Sequence, residues 1–286
     1  MELHSAMHLV NGLVVPKTVE QKTIAEMKGI ALQNDDVWVV SYPKSGSTWL
    51  QYIVNLIQTG GKDDGRRICN TVPFLESGID HPMTDSLVKA EDLPSPRAFK
   101  SHFPYEMMPC GLPSSTPCKY IYIARNPKDV ATSFFYHYRA YFVREIEWKE
   151  YIEYFLAGQV SFGNYFDHIL SWWAHKGDDN VLFIKFEDMK ENPLIIIKQI
   201  ANFMGYTALT QQLIEEIVEK TSFDKMKDNS AVNYSWSERC EEAPSFMRKG
   251  SVGDWKTHFS DEESQRLDEI YHNRFKGNGI DFNFGD

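Results

Sequence analysis

Positive charge is scarce in this chain, and so is cysteine. Lysine and arginine number 30 against 40 aspartates and glutamates, a formal net charge of −10 at neutral pH. A general nucleic-acid binder needs the opposite sign to displace counterions from phosphate. One small anion can still be bound, because a few placed donors outweigh a distant, screened net charge. The four cysteines, Cys69, Cys110, Cys118 and Cys240, lack the close paired spacing of a zinc site. They are also too few for a disulfide framework in so long a chain, so reduced thiols in a cytosolic protein are expected. No run approaches the ~20 apolar residues of a membrane-spanning helix. The opening MELHSAMHLVNGLVVPK has no basic n-region, and Asn11 and Gly12 break its short apolar run. It does not read as a secretory signal. These absences predict a cytoplasmic protein with neither a membrane nor a nucleic acid as partner.

Aromatic side chains, by contrast, are plentiful at 14% of 286 residues, within 42% hydrophobic and 24% charged residues overall. That is ordinary globular composition, with enough length for a sizeable core. The aromatic surplus predicts planar surfaces in the core or around a flat ligand. Three apolar runs, Val37–Val40, Lys119–Ala124 and Val181–Phe186, read as buried strands, and Ala98–His102 as a shorter one. Helical spacing follows the first strand from Trp49. It recurs over about 19–32, over 128–139 after Pro127, twice within 148–175, and over about 193–204, 209–220 and 261–274. Residues 59–98 read as long surface loops with short helices, and 223–255 as polar loop. With no repeat and no linker, the pattern predicts one domain over 1–286. Its class is α/β: a mainly parallel sheet with helices on both faces and a P-loop-like anion loop after the first strand. Ligands in such folds sit at the carboxyl ends of the strands, where Lys44, His102 and Arg125 fall.

Strand, then Lys44-Ser45-Gly46-Ser47-Thr48, then helix is the geometry of a phosphate cradle. Gly46 lets backbone approach an oxyanion, and the helix start presents N–H groups and the positive end of its dipole. A helix simply capped by Ser47 or Thr48 fits these few residues equally well. A Walker A loop does not, because its second glycine precedes the lysine.

The stretch Tyr42-Pro43-Lys44-Ser45-Gly46-Ser47-Thr48-Trp49 resembles the signature loop of the cytosolic sulfotransferases, with Ser47 where that family usually has threonine. The resemblance runs from about Asp36 to Phe284. It includes Val72-Pro73-Phe74-Leu75-Glu76, Lys100-Ser101-His102, Ala124 to Asp129, Glu187 to Pro193, Thr221-Ser222-Phe223, Phe246 to Gly250, and Gly253-Asp254-Trp255-Lys256. It implies sulfuryl transfer from 3′-phosphoadenosine 5′-phosphosulfate (PAPS) to a hydroxyl or amine of a small acceptor, without a metal. By resemblance, Lys44, Ser45, Gly46, Ser47, Thr48 and Trp49 hold the phosphosulfate. Arg125, Ser133, Arg248, Lys249 and Gly250 hold the 3′-phosphate. Trp49, Phe186, Thr221, Ser222, Phe223, Met226, Phe246 and Met247 surround the rest of the nucleotide. Phe186 replaces the family's usual tyrosine.

His102 is the expected general base, since a neutral imidazole can take a hydroxyl proton near pH 7. The resemblance further implies that Lys44 stabilises the leaving phosphate, that Lys100 orients the acceptor or the transferring group, and that Ser133 restrains Lys44. Phe74, Lys100, Ser101, His102, Phe134 and His137 are the expected acceptor contacts, with Phe103 and the Phe135–Tyr138 stretch as further apolar candidates. Loops over about 78–90 and 228–245 are the expected lid. The other histidines read as structural or solvated. The family's dimer motif is altered, since Ser260-Asp261 replaces Thr-Val and Gln265 replaces Glu. A homodimer and a monomer therefore both stay open. Phenols, catecholamines, sterols and other alcohols all remain open as acceptors. A silent nucleotide-binding protein of the same fold is the alternative.

Overall fold

The computed structural model describes residues 6–76, 90–108, 112–240 and 242–285. His4, His81, Cys110 and all but the last residue of the expected lid loop 78–90 lie outside them. Cys69, Cys118 and Cys240 carry thiols.

The chain opens with a hairpin of β1 (Met7–Val10) and β2 (Leu13–Pro16). Asn11 and Gly12, which break the apolar run in the sequence, form its turn at φ 51° and 84°. Both central residues of such a turn need positive φ, and Asn-Gly supplies it at least cost. The sequence therefore carried a hairpin signal that reads equally as an interruption.

Helix α1 (Gln21–Met27) is shorter than its periodicity suggests. Then come β3 (Val37–Val40), α2 (Ser47–Gln58), α3 (Ile68–Thr71), β4 (Ala98–Ser101), β5 (Lys119–Ala124) and α4 (Pro127–Tyr141). After these follow α5 (Trp148–Leu156), α6 (Tyr165–Trp173), β6 (Val181–Lys185), α7 (Phe186–Glu191), α8 (Pro193–Met204), α9 (Gln211–Lys220), α10 (Phe223–Asp228) and α11 (Asp261–Phe275). Phe186 thus begins a helix instead of ending a strand, and α10 lies in a stretch expected to be loop. Asn126 caps α4 by accepting from the Asp129 N–H, with Pro127 as first helical residue.

Four strands form a parallel sheet in the order β4-β3-β5-β6. Alternation along each strand divides the core in two. Val37 and Val39 of β3 and Ile121 and Ile123 of β5 face the aliphatic side, packed by α2, α8 and α9. Trp38, Val40, Tyr120 and Tyr122 face the other side, where α4, α5, α6 and α11 supply Phe134, Tyr151, Trp172 and Tyr271. Much of the aromatic surplus is therefore core on that face. With both faces covered, the strands read as continuous apolar runs.

The altered dimer motif has an intramolecular use. The Ser260 hydroxyl accepts from the Glu263 N–H at 3.2 Å, and the Glu263 carboxylate accepts from the Ser260 N–H at 2.8 Å. This reciprocal box starts α11. No helix among the described residues is long and apolar enough to cross a membrane.

Candidate active site

All four parallel strands end at the same edge of the sheet. From β3 the chain goes to β4 on one side and then to β5 on the other. The carboxyl end of β3 is therefore the topological switch point, where a crevice opens. Lys44 leaves β3, His102 follows β4, Arg125 follows β5 and Phe186 follows β6, and all four line one cleft. The cleft spans roughly 1280 Å³ of non-atom space, the open solvent at its mouth included.

The loop after β3 has the shape of a cradle, and no side chain caps the helix that it opens. Gly46 is the N-cap of α2, at φ 107°. The first N–H groups of α2 are thus left for a ligand. Lys44 is also left-handed at φ 68°, and such alternation aims successive N–H groups at one point. A Cβ on Gly46 would come within 2.8 Å of the Phe186 ring and 3.2 Å of Ile123. Glycine is therefore demanded there by packing as well as by φ.

Positive charge concentrates on the cleft wall. Lys44, Lys100, Arg125, Lys190, Arg248 and Lys249 line it, against Asp254 as the single carboxylate among its described lining residues. The site thus inverts the net charge of the chain. Burial, and then Lys100, Arg125 and Arg248, push the Lys44 ammonium down to about 7. Its Nζ sits 4.1 Å from the centre of the Phe246 ring. Burial pushes Lys100 down to about 8, although Glu76 opposes the shift.

His102 is buried, and its Nδ1 lies 2.7 Å from the Ser41 carbonyl oxygen. A carbonyl can only accept, so Nδ1–H donates and Nε2 keeps its lone pair. The ring stands edge-on between Phe74 and Phe162, at 5.1 and 5.3 Å. Burial and the Lys100 charge hold its pKa well below the ordinary histidine value. Behind it, buried Glu76 accepts the backbone N–H of His102 at 3.1 Å and the Ser101 hydroxyl. Burial pushes the Glu76 carboxyl up to about 8. Glu76 stands in a quoted motif, yet its grip on the strand end carrying His102 was not legible. His168 is likewise a supporting group, its Nε2 2.9 Å from the His102 carbonyl oxygen and its Nδ1 2.8 Å from the Tyr122 hydroxyl.

On the β5 side, Arg125 lies 4.4 Å over the Phe186 ring and donates to the Ser251 carbonyl at 2.8 Å. Its Nε is buried with no hydrogen-bond partner, a donor pointing to a missing acceptor. Arg248 and Lys249 reach the same cleft from the late loop, and Ser133 does so from α4. The basic groups distant in sequence therefore converge on the cradle.

Trp49, Phe186, Thr221, Phe223 and Met226 also line the cleft. Phe186 meets Trp49 edge-on at 5.5 Å, so one ring supports the cradle glycine, Trp49 and Arg125 together. A Cβ on Gly250, at φ 62°, would come within 2.2 Å of the Phe223 ring. The close approach expected of Gly250 is therefore made first to Phe223.

Phe74 and Phe162, in ring contact with each other, line the cleft too, as do Phe134, His137 and Phe142, whose rings meet in turn, and Pro16. Pro16 belongs to the hairpin, which is tied in by Phe162 N–H donating to the Val14 carbonyl at 2.7 Å. Pro16, Phe142, Ser161 and Phe162 carried no mark in the sequence, and Lys190 and Asp254 stood in family-like motifs with no role assigned, since nothing local shows which of them face a cleft. Three expected contacts do not line it. The Ser45 hydroxyl is buried under the loop, Ser101 turns onto Glu76, and Ser222 is exposed at the start of α10. Phe103, Phe135 and Tyr138 pack into the core instead.

The model of the sulfotransferase domain family matches residues 34–279. Sulfotransferase 1C2 of Oryctolagus cuniculus is 38% identical over 265 residues, covering 90% of this chain and 88% of the relative. Sulfotransferase 1B1 of Canis lupus familiaris is 37% identical over 259 residues, with 87% and 86% covered. Among solved structures, mouse sulfotransferase SULT7A1 in complex with PAP is 30% identical. Its TM-score is 0.74, with 95% of each chain covered. Retinol dehydratase in complex with androsterone and PAP superposes with a TM-score of 0.82 over 98% of this chain and 94% of its own. At 24% identity that likeness speaks to fold alone.

Proposed function

The chain belongs to the sulfotransferase family, an enzyme of sulfuryl transfer, and from that premise we propose that it moves the sulfuryl group of PAPS onto a hydroxyl of a small, flat acceptor. The chain over 1–286 acts as one domain for this reaction. What supports the reading is one observation: Lys44, Arg125, Arg248 and the Nδ1-anchored His102 all line a single cleft with an aromatic floor.

The donor supplies the sulfuryl group and a phosphate leaving group. The α2 start and the Ser47 and Thr48 hydroxyls bind the 5′ end of the donor. Arg125, Ser133, Arg248 and Lys249 take the 3′-phosphate, with forked charge-assisted bonds from the arginines. Trp49, Phe186 and Phe223 hold the base between planar faces. His102 Nε2 accepts the acceptor's hydroxyl proton as that oxygen attacks sulfur in line. The bond from sulfur to the bridging oxygen breaks, and Lys44 donates to the phosphate oxygen that keeps the electron pair. Phe74, Phe134, Phe142 and Phe162 favour a planar acceptor, a phenol before an aliphatic alcohol.

Thermal shift with adenosine 3′,5′-bisphosphate, followed by labelled PAPS against phenols, catecholamines, sterols and aliphatic alcohols, tests the proposal. Stabilisation and transfer are expected. Stabilisation without transfer to any acceptor would favour a silent nucleotide binder, and neither result would end the assignment.

Nucleotide affinity should also depend on pH. Free Lys44 loses its charge around pH 7, and a bound phosphate restores the charged form. Between about pH 6, where the phosphates themselves begin to protonate, and pH 7 the ammonium is already charged and affinity is level. Above that range, binding must include proton uptake, so affinity falls by at most about tenfold per pH unit. The bisphosphate Kd should therefore rise about tenfold or more between pH 7 and 9. Lys44→Met should flatten that slope, which calorimetry in buffers of different ionisation enthalpy can read. A level wild-type profile would mean Lys44 does not face the phosphate.

A further inference from the structure

One carboxylate stands on an otherwise cationic wall. Asp254 is only 7% exposed yet lines the cleft. Its Oδ1 accepts from Lys249 Nζ at 2.5 Å, and its Oδ2 accepts from Arg248 Nη2. Each carboxylate oxygen thus holds one of the two late-loop cations, the arrangement an incoming phosphate would need.

The post is fixed. Asp129, in the first turn of α4, accepts the N–H groups of Gly253 at 3.0 Å and Trp255 at 3.1 Å. The Thr257 hydroxyl donates to the Asp254 carbonyl at 2.9 Å, and the Trp255 indole donates to the Phe284 carbonyl at 2.9 Å. The backbone on both sides of Asp254 is therefore pinned. Arg248 and Lys249 lie in irregular backbone on long side chains, and their side chains are 18% and 49% exposed. When an anion arrives, the cations can change partner while the carboxylate cannot leave. A carboxylate beside a phosphate dianion also repels it in a partly desolvated cleft.

We infer that Asp254 is a built-in competitor for the 3′-phosphate, a positioning residue that stores Arg248 and Lys249 between nucleotides and weakens the hold on any nucleotide carrying that group. The inference rests on the proposed nucleotide site. Storage lowers apparent affinity by the fraction of time the two donors are unavailable. A nucleotide without a 3′-phosphate does not call on those donors and escapes the effect.

The test measures Kd and dissociation rate of adenosine 3′,5′-bisphosphate and of adenosine 5′-monophosphate for wild type and Asp254→Asn. The variant should bind the bisphosphate about five- to tenfold more tightly, mostly through slower dissociation, as expected when an exposed-edge charged hydrogen bond no longer competes. The monophosphate should change less than about twofold. Asp254→Ser, which leaves the Asp129 anchors in place, serves if the asparagine variant does not fold. Unchanged or weaker bisphosphate binding, or equal tightening of both nucleotides, overturns the inference. A wild type that binds neither nucleotide overturns the site itself, a separate and recognisable result.

Discussion

His102→Ala should lower kcat by about 10²–10⁴-fold, the usual contribution of a positioned general base, while the bisphosphate Kd stays within about twofold. In the proposed mechanism the residue acts through Nε2, since Nδ1 is spent on the Ser41 carbonyl. Alanine also empties the space between Phe74 and Phe162, so His102→Gln is the companion variant. Glutamine fills the space but takes no proton, and it should lose as much rate. Wild-type kcat/KM carries its own signature. The His102 pKa lies well below 6.5 because burial and Lys100 disfavour the imidazolium. The base is therefore already neutral at pH 6.5, and the acid limb of the profile should fall at lower pH. Normal turnover of a phenol by either variant would remove His102 from the mechanism.

Lys44→Met should cost about 10²–10³ in kcat, the scale for losing one donor to a developing oxyanion. Methionine preserves length and apolar bulk, and it meets the same left-handed backbone as lysine at φ 68°, so the comparison isolates the charge. The α2 start, Arg125 and Arg248 keep most of the ground-state contacts to the nucleotide. The deficit should therefore fall on kcat more than on donor affinity, as expected for an interaction strongest in the transition state. Single-turnover quench flow separates the chemical step from nucleotide release and reads this split directly. A chemical step slowed by less than about threefold would mean that the cradle amides stabilise the leaving phosphate without help from Lys44.

Legibility in the sequence followed the range of the interactions concerned. The runs Val37–Val40 and Lys119–Ala124 announced strands buried on both faces because alternate residues enter two cores. Pro127 announced the start of α4 because a proline at the first helical position is local chemistry, whereas the Asn126 cap appeared only in the structure. Asn11-Gly12 was equally local, yet a turn and a break look alike until both flanks are known to pair. Between a capped helix and an anion cradle the residues after Tyr42 were neutral. Only the structure excludes the capped helix, because Gly46, with no side-chain bond, is the N-cap. Glu76 and Asp254 stood in family-like motifs without a legible role and Phe162 stood in none, since each gains its role from a group 26, 6 or 60 residues away in the chain.

The amino-acid order alone determined the class of the fold, the strand ends where polar residues cluster, and the family those clusters resemble. Periodicity, capping and turn chemistry act over a few residues and need no partner to be read. Which residues share the cleft was decided by tertiary structure. The order β4-β3-β5-β6 places the ends of three strands around the cradle. Packing then removes Ser101 and Phe103 from the wall and brings in the hairpin, Phe162 and Asp254. Position in a cleft is a property of long-range contacts, and a side chain acquires its charge state, its partner and its exposure only when those contacts close.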